Sequence, residues 1–487
     1  MASNSRVASH RCRLIVVSRS QSRQVRTPNM PPVLLTGPAL CLLFGLARDE
    51  VRHCLEPKLK LSHLLLSDNS ESVSYRFSSQ WGRGEHMNTY ATGSWPSVSY
   101  EEHPWVSRYA AGEKSRARIR RHQGPYQACV PARIARLSPF LPPQTVAATT
   151  EASNEMSRFD AEMGSEIAPF SAVLLRSESA ASSQIENLTA SSRAISEAEL
   201  GGRVGANAAQ VVGNVAAMSA ALALSDDVTA QAILDMHEAL LHNVAPAIAG
   251  LWRTEQVWIG GSTLGPHSAV FVPPHHDRLP AAIEDLVEFI DRDDLPVLAH
   301  AAIAHAQFET IHPFSDGNGR TGRALVHAML RAKGLTRNVT VPISAGLLLD
   351  TGRYFDALTA YRDGHPDEIV NRFAEAAFAA IGNGRQLVTD LRALRAEWQE
   401  RVQARRDAAA WRVADLLLRH PVINVGLVSQ DLGMAPQNVY RTLEPLVAAG
   451  VLQISASGSR DRIWRSVEVL TAVDAFATRA GRRSRSS

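Results

Sequence analysis

A proton acceptor, a carboxylate, three glycines, an amide and two guanidiniums fall within one short stretch of this chain: residues 312–323 read His-Pro-Phe-Ser-Asp-Gly-Asn-Gly-Arg-Thr-Gly-Arg. An apolar segment of helical spacing precedes it at 295–311, and a second follows at 320–332. The stretch is therefore a loop that opens a helix N-terminus. Gly-Asn-Gly at such a point exposes backbone N–H groups that no intrahelical carbonyl satisfies, and the helix dipole adds to the pull on an anion. Arg320 and Arg323 are three apart and share a face of the first turn. Two guanidinium forks beside a glycine cradle suit a polyphosphate. Asp316 is a hard oxygen ligand placed to hold Mg²⁺ against that phosphate. His312 is the one group of the loop able to take a proton near neutral pH.

The string resembles the signature of the Fic family, His-x-Phe-x-(Asp/Glu)-Gly-Asn-Gly-Arg-x-x-Arg, at every fixed position. The resemblance implies a protein adenylyltransferase that moves AMP from ATP to a Ser, Thr or Tyr hydroxyl of a target protein. It implies that His312 is the general base and that Asp316 carries Mg²⁺ bridging the α- and β-phosphates. Asn318 and the N–H groups of Gly317 and Gly319 would hold the α-phosphate, where charge develops. Arg320 and Arg323 would clamp the β- and γ-phosphates, and Thr321 and Gly322 between them complete the expected nucleotide site. Phe314 is expected to anchor the loop on the core. The same resemblance implies a mainly α fold with a helical Fic core and a β-hairpin flap.

Three other segments bear on this site. Ser182-Ser183-Gln184-Ile185-Glu186-Asn187 admits two readings. Ser183-x-x-Glu186 is a capping box at a helix start. Alternatively, Ser182, Glu186 and Asn187 match the inhibitory helix (Ser/Thr)-x-x-x-Glu-(Gly/Asn) of many Fic proteins. There the glutamate pairs with the second arginine, here Arg323, and misplaces the γ-phosphate. Residues 252–261 and 269–274 are β-prone runs around a Gly-rich turn, so a hairpin is expected. In Fic-like folds this flap, here Ile259, Gly260 and Gly261, docks the target segment as an added strand. Tyr354, in a helix over 351–363, is either a nucleotide contact or a core residue. His275, His276, His300, His305 and His327 lack helical metal-pair spacing and read as structural or solvated.

From Ala408 the pattern changes to helix, short helix, turn, longer helix and hairpin, which resembles a winged helix-turn-helix. Gln437, Asn438, Arg441 and Thr442 begin its recognition helix, and Arg460 and Arg462 sit on the wing. Such residues touch phosphates or base edges, although a protein-binding winged helix fits equally well. The Trp-Pro arm over 93–105 is similar to arms that precede the N-terminal helices of larger Fic proteins; an ordinary linker reads the same way.

Composition is that of a soluble globular chain: 487 residues, 45% hydrophobic, 20% charged, formal net charge +3. The charge is uneven, with basic ends and an acidic middle, so an acidic partner such as DNA suits the C-terminal part. Four cysteines without metal spacing argue against a disulfide framework and for a reducing, cytoplasmic setting. The apolar run 31–47 is loosely signal-peptide-like. However, Pro38 interrupts it, and it is shorter than the ~20 residues of a membrane span. Residues 1–86 read as a non-native or disordered extension, with Met87 the real start. The expected layout is then 87–205 for the arm and inhibitory region, 206–400 for the catalytic core, 405–470 for the winged helix and 471–487 for a basic tail. Beside the adenylyltransferase stand two alternatives: a hydrolase removing AMP at the same site with Glu186 orienting water, and a DNA-binding regulator with the core as nucleotide sensor. No membrane partner is expected, and a homodimer suits the family.

Overall fold

The computed structural model describes residues 91–92, 95–105, 120–164, 169–202, 205–455 and 462–481. The N-terminal extension, the wing residue Arg460 and the terminal arginines lie outside the described residues. Residues His86–Ser487 form one compact unit, and the boundaries expected at 205 and 400 fall inside it. Among the described residues no helix is long and apolar enough to cross a membrane.

The centre is a helix that the sequence makes apolar on all sides. In α7 (Val297–Ile311) every residue from Leu298 to Ile311 is buried, as expected of a helix surrounded by others. Around it pack α6 (Leu279–Asp291), α8 (Asn318–Ala332), α10 (Thr351–Arg362) and the long α11 (Pro366–Arg401). α1 (Pro143–Gly164) lies along α11, and α2 (Pro169–Ile185) packs on α4 (Ala206–Ala223), α8 and α9 (Ile343–Leu348). α3 (Ser192–Glu199) and α5 (Ala230–Leu241) rest on α4. The protein is mainly α, with small sheets at its margins.

The arm over 95–105 is part of the fold. β2 (Ser99–His103) pairs antiparallel with β3 (Tyr126–Val130), Ser99 opposite Val130. β1 (Ala91–Thr92) pairs parallel with β4 (Leu137–Ser138). Trp95 is buried against Tyr361.

The expected hairpin over 252–274 is reduced to one antiparallel bridge, Ile259 with Phe271. Its backbone groups find other partners. Arg253 N–H donates to Pro313 O, and Cys129 N–H of β3 donates to Val272 O. Pro266, Pro273 and Pro274 remove N–H donors that a ladder would need.

The C-terminal elements follow the expected order. α12 (Ala409–Arg419), β5 (Val422–Asn424), α13 (Val425–Leu432), α14 (Pro436–Ala448), β6 (Gln453–Ser455) and β7 (Ile463–Arg465) form three helices with a sheet ordered β5-β7-β6. The turn between α13 and α14 uses Gly433 at φ 61° as a left-handed cap. α15 (Val467–Arg479) then returns to α11, where Glu468 accepts from Trp398 Nε1 at 2.6 Å.

Candidate active site

α7 ends at His312, which takes a left-handed conformation (φ 49°, ψ 61°) unusual for a residue with a Cβ. Its surroundings hold it there. His312 N–H donates to Phe308 O, and its carbonyl accepts from Arg253 Nε at 2.9 Å. Arg253 is buried, and its other nitrogens donate to Glu255 O and Pro274 O. One guanidinium thus ties the general-base candidate to the segment that follows the Ile259–Phe271 bridge. Nothing in the sequence marked Arg253 out.

The loop from Pro313 to Gly317 is closed by Asn318. Its Nδ2 donates to Phe314 O and its Oδ1 accepts from Phe314 N–H, both at 2.8 Å, with the side chain buried. Both of its polar atoms thus help to fold the loop, and Nδ2 keeps a second N–H beyond the one given to Phe314 O. Asn318→Ala is expected to lower unfolding free energy by about 1–3 kcal/mol by orphaning two buried backbone groups, read as a lower urea midpoint at unchanged m-value.

Phe314 is the anchor its position implied. It is fully buried, stacked on His237 at 3.6 Å between centroids and on Trp252 at 4.9 Å. His237, also missed from the sequence, accepts from Gly250 N–H at Nδ1 and donates from Nε2 to Asp316 O at 3.0 Å. Burial pushes its pKa down to about 4, so the ring is neutral, as that bonding pattern requires.

Gly317, at φ 81°, caps the start of α8, and its N–H donates to Asp316 Oδ1. The Asp316 side chain is 61% exposed, and its other oxygen lies 3.5 Å from Arg320 Nη2. Arg320 is 2% exposed; it reaches Gln210 Oε1 of α4 at 3.3 Å, while its Nε is buried without a hydrogen-bond partner. Burial lowers the Arg320 pKa, and Asp316 and Glu186 oppose that shift.

Arg323 is held by residues 182–186 through Nε and Nη2. Its Nε donates to Ser182 Oγ at 2.9 Å, and its Nη2 donates to Ser182 O at 2.8 Å and Glu186 Oε1 at 2.9 Å. Burial works against the Arg323 charge, but Glu186, Tyr354 and Glu309 more than compensate and raise its pKa. Glu186 and Asn187 lie just past the C-terminus of α2. The capping-box reading is therefore corrected: Ser183 ends a helix, with its Oγ donating to Ser179 O. Asn187 turns the chain at φ 60°, a conformation asparagine tolerates. Glu186 also stands over the opening of α8, where a Cβ on Gly319 would overlap its Oε1.

Thr321 and Gly322 are buried inside α8. Tyr354 is a core residue: it is 1% exposed, and its hydroxyl lies 2.7 Å from His305 Nε2. Of its two expected readings, this burial fits the core one. His300 meets Phe289 O, and His327 meets the buried Glu178 at 2.9 Å, so both are structural. His275 and His276 gather about Asp277, His275 Nδ1 at 3.1 Å. Ile259 is half-buried while Gly260 and Gly261 are exposed. Gln437, Asn438 and Arg441 are exposed along α14, Thr442 is half-buried, and Arg462 is exposed with its guanidinium 5.9 Å from the Tyr440 ring.

Residues 227–330 match the model of the Fic/DOC family. Over 112 residues the chain is 34% identical to protein adenylyltransferase fic-1 of Caenorhabditis elegans, which is 22% of this chain and 20% of that protein. Over 120 residues it is 32% identical to protein adenylyltransferase Fic of Drosophila melanogaster, 24% of this chain and 23% of that protein. The chain thus spans about a fifth of the length of these curated relatives. A solved Fic family protein from Desulfovibrio desulfuricans G20 is 21% identical with a TM-score of 0.44, over 67% of this chain and 97% of that one. The chain carries a Fic domain over residues 227–330.

Proposed function

We propose that this Fic domain transfers AMP from ATP to a hydroxyl of a target protein, and that Glu186 holds it in an inhibited state. One observation supports the reading: the Glu186 carboxylate stands beside Gly319 at the start of α8, paired with Arg323. An anionic side chain at a helix N-terminus, on a buried arginine, stands in for a phosphate. A triphosphate bound beside it would meet a carboxylate and lose one of its two clamps.

With Glu186 displaced, the remaining groups suit the chemistry. The N–H groups at the opening of α8 face the α-phosphate, and the unpartnered Arg320 Nε and freed Arg323 take the terminal phosphates. The exposed Asp316 carboxylate, held by Gly317 N–H while His237 holds the Asp316 backbone carbonyl, fits a hard divalent cation. Mg²⁺ held there would neutralise phosphate charge as it develops. His312 accepts the proton of the target hydroxyl as that oxygen attacks the α-phosphorus. The bond to pyrophosphate breaks, and pyrophosphate leaves. The target segment would lie along the exposed Gly260 and Gly261 beside the Ile259–Phe271 bridge, using main-chain hydrogen bonds.

We place the action in the cytoplasm. We read the C-terminal helices and sheet as a winged helix whose exposed Gln437, Asn438, Arg441 and Arg462 offer a face for DNA. The reaction is tested by incubating the full-length Glu186→Gly variant and a cell lysate with ATP labelled at the α- or the γ-phosphorus. Label retained on protein from α but not γ is expected. Label from γ alone would identify a kinase-type reaction and overturn the reading.

A further inference from the structure

The buried carboxylate of Glu309 takes no part in the reaction as described, yet it lies against its base. Glu309 lies in the last turn of α7, and His312 caps that turn. Glu309 Oε2 is 3.6 Å from His312 Nδ1, the Glu309 side chain is 8% exposed and the His312 side chain 18%. Nδ1 is buried and has no hydrogen-bond partner of its own. A carboxylate at this depth is costly unless cations face it. The groups around it are His305, His312 and Arg323, with Tyr354 and Arg362 contributing at longer range. Burial acts to raise its pKa, but His312, His305 and Arg323 outweigh burial and hold it at about 2, so the carboxylate is ionised. The motif makes room for it: a Cβ on Gly322 would come within 3.1 Å of Glu309 Oε1 and 2.8 Å of Phe308. Gly322 thus lets α8 close over the end of α7 with the carboxylate in place.

We infer that Glu309 is a positioning residue for His312: its carboxylate faces Nδ1, fixes the proton there and leaves Nε2 as the nitrogen that accepts the target hydroxyl's proton. The inference rests on the proposed AMP transfer for its catalytic meaning, but not for its geometry. A neutral imidazole with its proton on Nε2 has no lone pair to offer on that side. The carboxylate selects the useful tautomer and then lies beside the imidazolium once the proton has moved.

The test uses the full chain with ¹⁵N-labelled histidine in the Glu186→Gly background, the His312 resonances being identified by their loss in His312→Ala. The parent is expected to show His312 with its proton on Nδ1. Glu309→Met, of similar length but without an acceptor, should shift the ring toward the Nε2–H form. It should also lower kcat by about 10- to 100-fold, with KM for ATP within about twofold. If Glu309→Met does not fold, as read by thermal unfolding, Glu309→Gln is measured in its place, with a smaller change in the same direction expected. An unchanged His312 tautomer, or kcat within about twofold in a folded variant, would overturn the inference. A Glu186→Gly parent that transfers no AMP would overturn the proposed reaction instead, and the nitrogen shifts would still decide the part played by Glu309.

Discussion

Glu186→Gly is expected to transfer AMP roughly 10- to 100-fold faster than the unaltered chain at the same ATP concentration. The magnitude follows from the contact it removes. A charge-assisted hydrogen bond is worth about 1.5–3 kcal/mol, and each 1.4 kcal/mol is about tenfold in an equilibrium. Arg323 is 2% exposed while the Glu186 side chain is 39% exposed, so water screens one partner and the lower part of that range is the safer expectation. The variant leaves Ser182 in place. Arg323 therefore keeps its bonds to Ser182 Oγ and Ser182 O and stays near its present position, pre-organised for a phosphate. Glycine at 186 suits the turn after α2, so little stability should be lost. The rate is read from incorporation of α-labelled AMP over time. An unchanged rate would mean that the pair is a structural contact and that inhibition does not reside there.

His312→Ala in that same background is expected to reduce transfer by about 10²- to 10⁴-fold, the usual contribution of a positioned general base. ATP binding should change little, because the phosphate-facing groups begin at Asp316 and His312 meets the nucleotide only through the acceptor hydroxyl. Binding is measured by calorimetry on the same preparation. The position carries a complication of its own: His312 is held left-handed by Arg253 and Phe308, and alanine adopts that conformation no more easily. Asparagine does so more readily, so His312→Asn is the control for backbone strain. Loss of transfer in both variants assigns the effect to the imidazole.

The chemistry-bearing stretch was legible because it is contiguous. A loop that opens a helix with Asp, Gly-Asn-Gly and two arginines in register declares its geometry without tertiary information, and α7 and α8 flank it as the apolar spacing required. The Glu186–Arg323 contact was legible only through resemblance. Local physics alone gave a capping box at a helix start, and the segment instead ends α2. Spacing of Ser and Glu does not say which end of a helix it marks when the residues before it are as apolar and alanine-rich as those of α2. Other roles depend on contacts that no local pattern encodes. Asn318 turns inward to Phe314 because the loop folds back within four residues. Tyr354 is buried against His305, 49 residues earlier in the chain. Arg253 reaches His312 across 59 residues. Glu309 alone had a local signal, an acidic residue three before the histidine inside an apolar helix, where a carboxylate needs a reason to be buried. The flap was overread: β-prone residues around a Gly-rich turn formed a single bridge because Val272 O takes its hydrogen bond from β3.

The most direct measurement places the unaltered chain, Glu186→Gly and Glu186→Gly with His312→Ala side by side, each full-length, with α-labelled ATP, Mg²⁺ and a cell lysate. The expected order is faint labelling, strong labelling and none above background. Equal labelling of all three, or strong labelling that survives loss of His312, would contradict both the chemistry assigned to this loop and the restraint assigned to Glu186.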